Sequence, residues 1–343
     1  MRSPMIAAVT AAMAAGPALA APAVVADIPP VHSLVARVME GAGTPDLILP
    51  PGASPHGYAM RPSEARMLSE AEVVFWVGEG LTPWLERSLE SLAGDAVSVE
   101  LLDVDGVELL ETRSDASFGH EAHDDHEDEH DHGDEHDHDE EHAHDATEAD
   151  DDHEHEEADG HDDDHAGHDH GFYDPHAWLD PENAKVWLDA IAVALTEADP
   201  ANADLYAANA AAGRTEIDDL QAGIYERLES VRGRPFVVLH DAYQYFEHRF
   251  DVEAAGSLSI SDASDPGPAR VAEIRDLVGS LGTVCVFAEP QFEGRPIGMI
   301  TEGAEVRTGI LDPLGAGLEP GPGLYPALLD GLADGLAECL QEG

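Results

Sequence analysis

Short apolar runs alternate with segments of helical spacing through the first hundred residues. Residues 24–28 read as a strand, and 31–39 as a helix entered through Pro29 and Pro30. A second strand at 47–49, a helix at 62–68, a strand at 73–77, a helix at 83–92 and a strand at 97–101 continue the series. Such a βα succession predicts a parallel sheet covered by helices, with ligand sites beyond the carboxyl ends of its strands. A helix opened by Pro181 runs through Ala194. A longer pattern over 201–231 carries Leu205, Ile217, Leu220, Ile224 and Leu228 as its apolar positions. Roughly 30 residues at 1.5 Å rise make a rod of about 45 Å, long enough to join two lobes rigidly. The βα pattern then restarts. A strand at 236–239 follows Pro235, helices start at Tyr243 and Pro268, a strand spans 283–288, and Ile310-Leu311 closes another, ahead of a C-terminal helix.

Between the halves the alternation stops. Residues 115–170 hold 15 of the 20 histidines and 27 of the 72 acidic residues, without one Leu, Ile, Val, Met, Trp, Lys or Arg. So polar and singly charged a stretch cannot offset its ordering entropy, which predicts a disordered insertion. The predicted plan is therefore an α/β protein of two lobes with parallel sheets flanked by helices. An N-terminal lobe covers 21–200 and contains the insertion, a linker helix covers 201–231, and a C-terminal lobe covers 232–343. Residues 1–20 read as a secretory signal ending in Ala18-Leu19-Ala20, so the expected product is exported and cleaved near Ala20. No later segment reaches the roughly 18 consecutive apolar residues expected of a membrane span.

Charge narrows the partners. The net charge is −56, and outside the tract 45 acidic residues still face 16 basic ones. Such a surface repels nucleic acid and attracts cations. The tract histidines are His120, His123, His126, His130, His132, His136, His138, His142, His144, His153, His155, His161, His165, His168 and His170. Several stand two or four apart, spacings at which imidazoles with neighbouring carboxylates hold Zn, Cu or Ni loosely. A solubilising spacer is the plain alternative. Cys285 and Cys339 suit an oxidising compartment as one disulfide between a strand and the C-terminal helix, with two buried thiols or a ligand pair as the alternatives.

Histidines recur at equivalent places in the ordered parts. His56 sits in the stiff loop Pro50-Pro51-Gly52-Ala53-Ser54-Pro55-His56, after the second strand. His176 is pinned in Tyr173-Asp174-Pro175-His176-Ala177-Trp178, and His240 ends the strand at 236–239. Asp312 stands at another strand exit, in Leu311-Asp312-Pro313. Three imidazoles with an oxygen donor or water, converging on the cleft between the lobes, suit tetrahedral Zn(II). His32 is assigned to a helix start or a supporting role, Glu289 to the cleft lining, and His248 to a helix surface.

The stretches GASPHGYAMRPSE (52–64), AEVVFWVG (71–78), DPHAWLDPENA (174–184), LHDAYQYF (239–246), CVFAEPQF (285–292) and LDPLG (311–315) resemble the metal-binding solute receptors of ABC importers, specifically the ZnuA-type zinc receptors. The resemblance covers the chain from about Val24 to its end. It implies two lobes joined by one long helix and a disulfide between Cys285 and Cys339. It also implies Zn(II) as the transported ligand, held by His56, His176 and His240. Manganese-selective relatives place a glutamate where His240 stands. Asp312 matches the aspartate ligand of the wider family, although zinc receptors can use water instead, and Pro55 stands where some carry a further glutamate. The expected partner is a membrane permease with its cytoplasmic ATPase, and the expected protein is a periplasmic monomer whose His-rich tract serves as a low-affinity antenna or sensor. Two rivals remain. A zinc enzyme lacks support in the absence of H-E-x-x-H or an evident general base, and a zinc buffer would make the tract the active part.

Overall fold

The computed structural model describes residues 21–118, 173–259, 266–282, 284–291, 295–301 and 306–341. The expected signal, residues 1–20, lies outside them, as do 119–172, which hold all of the tract histidines. Residues 115–118, expected as the start of the insertion, belong instead to the folded body: Ala116 is buried in the core of the second lobe.

The first lobe is built from β1 (Val24–Ala26), α1 (Pro29–Val38), β2 (Asp46–Leu47), α2 (Pro62–Ser69), β3 (Val73–Trp76), α3 (Pro83–Leu92) and β4 (Val97–Glu100). All its strand pairs are parallel, in the order β2-β1-β3-β4. The central strand β3, Val-Val-Phe-Trp, is buried at every position, as expected where helices cover both faces. α1, α2 and α3 each begin with a proline, whose missing N–H costs nothing at a first helical position.

The second lobe repeats the plan with β5 (Phe236–His240), α6 (Gln244–Phe250), β6 (Ala254–Ser259), α7 (Pro268–Leu281), β7 (Val284–Ala288), α8 (Arg295–Thr301), β8 (Val306–Ile310) and α9 (Leu324–Gln341). Its parallel order is β6-β5-β7-β8. In each sheet the chain visits an outer strand and returns to the other side of the first. Both sheets therefore have a switch point, β1/β3 and β5/β7, where a crevice opens at the strand carboxyl ends. β6 and α8 were not anticipated.

Helices α4 (Pro181–Ala198) and α5 (Ala203–Leu228) form a hairpin between the lobes. Asp180 caps α4 by accepting from Glu182 N at 2.8 Å. α5 spans 26 residues, about 39 Å, and ends in short 3₁₀ turns rather than as the single 201–231 helix expected. Gly213 lets α4 approach, since a Cβ there would stand 3.0 Å from Leu188 Cδ1. α9, although part of the second lobe, also packs on α1 and α5. Tyr325 N donates to Ser33 Oγ at 2.9 Å, and Tyr325 Oη to Trp178 O at 2.8 Å. One apolar core consequently runs through both lobes and the hairpin. Cys285 on β7 and Cys339 on α9 are disulfide-bonded, with Cα atoms 6.1 Å apart.

The chain crosses between lobes once more before residue 119. Asp174 N donates to Leu110 O at 2.8 Å beside an antiparallel bridge from Glu111 to Tyr173. Residues 116–118 then lie along the outer edge of β6: Ser117 bridges Gly256, Phe118 N donates to Ala255 O at 2.8 Å, and Ser257 N to Ala116 O at 3.1 Å. No helix among the described residues is long and apolar enough to cross a membrane.

Candidate metal centre

Three loops and one strand end meet where the two switch points face each other. His56 follows a turn in which Gly52 adopts φ +82°, and Trp84 fixes this loop by donating from Nε1 to Pro55 O at 2.6 Å. His176 precedes a 3₁₀ turn at Ala177–Leu179, held by Asp174, whose Oδ1 accepts from His176 N at 3.0 Å and lies 2.6 Å from Nδ1. His240 is the last residue of β5, and Glu289, just past β7, places Oε1 2.6 Å from its Nδ1. A carboxylate can only accept, so in both neutral rings the proton resides on Nδ1 and Nε2 is the unprotonated nitrogen.

Those nitrogens converge. His56 Nε2 and His240 Nε2 each lie 3.4 Å from His176 Nε2, and the three residues form the one cluster of potential metal donors among the described residues. Zinc–imidazole bonds of about 2.0–2.1 Å at tetrahedral angles place nitrogens about 3.3–3.4 Å apart, so the observed spacing is that of a chelate. The space they enclose is about 10 Å³, walled by Trp178, Pro313 and Leu314, enough for one small occupant. Trp178 is immobilised by its own Nε1, which donates to Pro313 O at 2.7 Å.

The surroundings are electrically loaded. Burial pushes the Asp174 carboxyl up to about 7, against the backbone N–H of His176, which pulls it down. A divalent cation nearby would favour its ionised form. Arg113 donates to Asp241, which follows His240 directly, and to Glu247. Burial raises both of those carboxyls and Arg113 opposes it.

Of the residues singled out in the sequence, His56, His176 and His240 come together. Asp312 does not join them. Its Oδ1 accepts from Leu314 N, Gly315 N and Gln291 Nε2 at 3.1, 2.9 and 3.2 Å, and its Oδ2 from Ala316 N at 2.6 Å, so the carboxylate caps the turn that follows β8. His32 is buried with Nε2 3.1 Å from Pro45 O, away from the centre. His248 is exposed beside Glu108. Glu289 supports His240 within the cleft lining. Sequence reasoning missed the roles of Asp174 and Arg113. Asp174 stands two residues before a histidine, a usable signal, whereas Arg113 is 128 positions from Asp241 and has none.

Comparison with known proteins agrees with this architecture. The sequence model of the family described as Zinc-uptake complex component A periplasmic, ZnuA, matches residues 24–339. The chain is 43% identical to the High-affinity zinc uptake system protein ZnuA of Brucella suis biovar 1 (strain 1330), over 93% of this chain and 92% of that protein. It is also 43% identical to the protein of the same name from Paracoccus denitrificans (strain Pd 1222), with the same coverage. Among solved structures, a zinc-bound ZnuA deletion mutant superposes with a TM-score of 0.66 at 22% identity, covering 93% of this chain and 98% of that one. The periplasmic zinc binding protein TroA of Treponema pallidum gives 0.67 at 16%, covering 93% and 99%.

Proposed function

The chain belongs to the ZnuA family of zinc-uptake components, and from that premise we propose that it captures one Zn(II) through His56, His176 and His240 and delivers it to an ABC importer. As a member of the family it is a zinc-binding receptor of a zinc ABC uptake system, which implies a permease and ATPase as partners and the periplasm as its place. The observation that carries the ligand assignment is the pair of 3.4 Å Nε2 separations around a small shared space. Two rings are already held in the tautomer that presents Nε2, so zinc meets a preorganised set of nitrogens.

Capture rather than catalysis is the reading these features support. The space the three imidazoles share, about 10 Å³, accommodates a single ion. We further propose that the receptor works as a monomer, that export removes residues up to about Ala20, and that the histidines of 119–172 hold additional zinc weakly.

The test is competitive zinc titration of the mature protein against a tight chelator, beside His56→Ala, His176→Ala and His240→Ala. The expected result is one tight site, lost in each variant, with weaker sites persisting. Several similar weak sites indifferent to those changes would assign the function to the tract as a zinc buffer.

A further inference from the structure

Three nitrogens leave a tetrahedral ion one donor short. Gln291 lies just past Glu289 at the carboxyl end of β7 and lines the same small space as the three imidazoles. Its Oε1 is buried and accepts no hydrogen bond. Which end of the amide this is follows from chemistry. Asp312 Oδ1 lies 3.2 Å from the other end and also accepts two backbone N–H groups, so only the –NH₂ of Gln291 can face it. The carboxylate thereby locks the amide with its carbonyl oxygen turned away. A buried carbonyl with no donor is an anomaly in a folded protein unless something electropositive belongs beside it.

We propose that Gln291 Oε1 is the fourth donor to the zinc ion, and that Asp312 acts as the residue that orients it rather than as a ligand. The proposal rests on the three-histidine reading and extends it. Hydrogen bonding argues the same way from the other partner: Asp312 already accepts four hydrogen bonds and would have to surrender some to reach a metal, whereas Gln291 Oε1 surrenders none. The expected consequence is a cargo site of full coordination, closed to water, yet with one weak neutral bond to break first on release.

The experiment uses zinc affinity and the visible spectrum of the cobalt(II)-loaded mature protein. Gln291→Ala should weaken zinc by about ten- to a hundredfold, the usual effect of altering a group that sets metal coordination. Its cobalt spectrum should shift on adding azide, which enters the vacated position, while the wild-type spectrum stays unchanged. Asp312→Asn should weaken zinc in the wild-type background and add little to Gln291→Ala, because an orienter has nothing left to orient. Azide sensitivity of the wild-type cobalt protein, zinc affinity within twofold in Gln291→Ala, or a full additional loss from Asp312→Asn in the double variant would each overturn the proposal while leaving three histidine ligands intact. A tight site that survives His56→Ala would overturn the histidine reading and this one together.

Discussion

Replacing Arg113 by Met should destabilise the metal-free protein by about 4 kcal/mol at neutral pH. The guanidinium side chain is 19% exposed and serves two carboxylates, Asp241 and Glu247, exposed by only 4% and 5%. Its Nε lies 3.0 Å from Asp241 Oδ2, with Nη1 2.9 Å and Nη2 3.1 Å from the two Glu247 oxygens. Methionine keeps most of the apolar stem and strands both acids, and removing one partner of a buried ion pair costs about 3–5 kcal/mol. A second route bounds the same figure. The folded variant can neutralise a stranded glutamate by binding a proton, which at pH 7 costs about 1.4 kcal/mol for each unit above an ordinary pKa of about 4.3, or about 3.7 kcal/mol. The sign is distinctive. A carboxyl whose folded pKa is raised above its unfolded value holds its proton only in the native state across that window, so stability falls as pH rises through it. The deficit relative to wild type should therefore shrink to about 2 kcal/mol at pH 5.5. Urea unfolding of both proteins at pH 5.5 and 7.0 measures this. A deficit below about 1 kcal/mol at neutral pH, or one equal at the two pH values, would refute the reasoning.

Three other perturbations have readable outcomes. Glu289→Ala should lower zinc affinity about ten- to a hundredfold by freeing the His240 ring, with Glu289→Gln recovering part of it, and an unchanged titration would remove Glu289 from the centre. Reducing Cys285–Cys339, which closes a loop with a sequence separation of 54, should cost about 4 kcal/mol by the loop-entropy relation, seen as a lowered urea midpoint in reductant. Asp27 is fully buried and pushed up to about 7 by that burial, although Ile28 N and Val77 N both donate to it. It should contribute a loss of up to about 4 kcal/mol as pH rises from about 4 to 7, and metal-free Asp27→Asn should show a flatter stability profile than wild type over that range.

Much of the architecture was legible because central parallel strands are buried on both faces. Val73–Trp76 and residues 236–239 stand out as unbroken apolar runs, and prolines mark the starts of α1, α2, α3, α4 and α7. β6 was hidden for the opposite reason. Its Ala-Ala-Gly-Ser-Leu-Ser sequence offers no apolar run, since Gly256 is there to admit a neighbouring carbonyl rather than to fill a core. α8 is seven residues with an internal glycine, too short to show a period. At the centre, the prolines and aromatics around His56 and His176 announced fixed side chains. What holds the rings does not show in one dimension: Glu289 is 49 positions from His240, and whether Asp312 reaches inward or caps its own turn depends on backbone geometry after β8.

The strap of residues 116–118 across β6 bears on how the molecule avoids itself. An outer strand with bare N–H and C=O groups is a template for a second chain, and sheets of this kind are vulnerable where they end. Here the template is occupied by the polypeptide's own earlier half, at a separation so close that a Cβ on Gly256 would stand 2.2 Å from Ala116 O. The second lobe is thus finished by a piece of sequence made more than a hundred residues before it. Cut away as an independent module, it would present an unguarded edge and a core missing Ala116, and self-association rather than simple unfolding is the behaviour to expect of it.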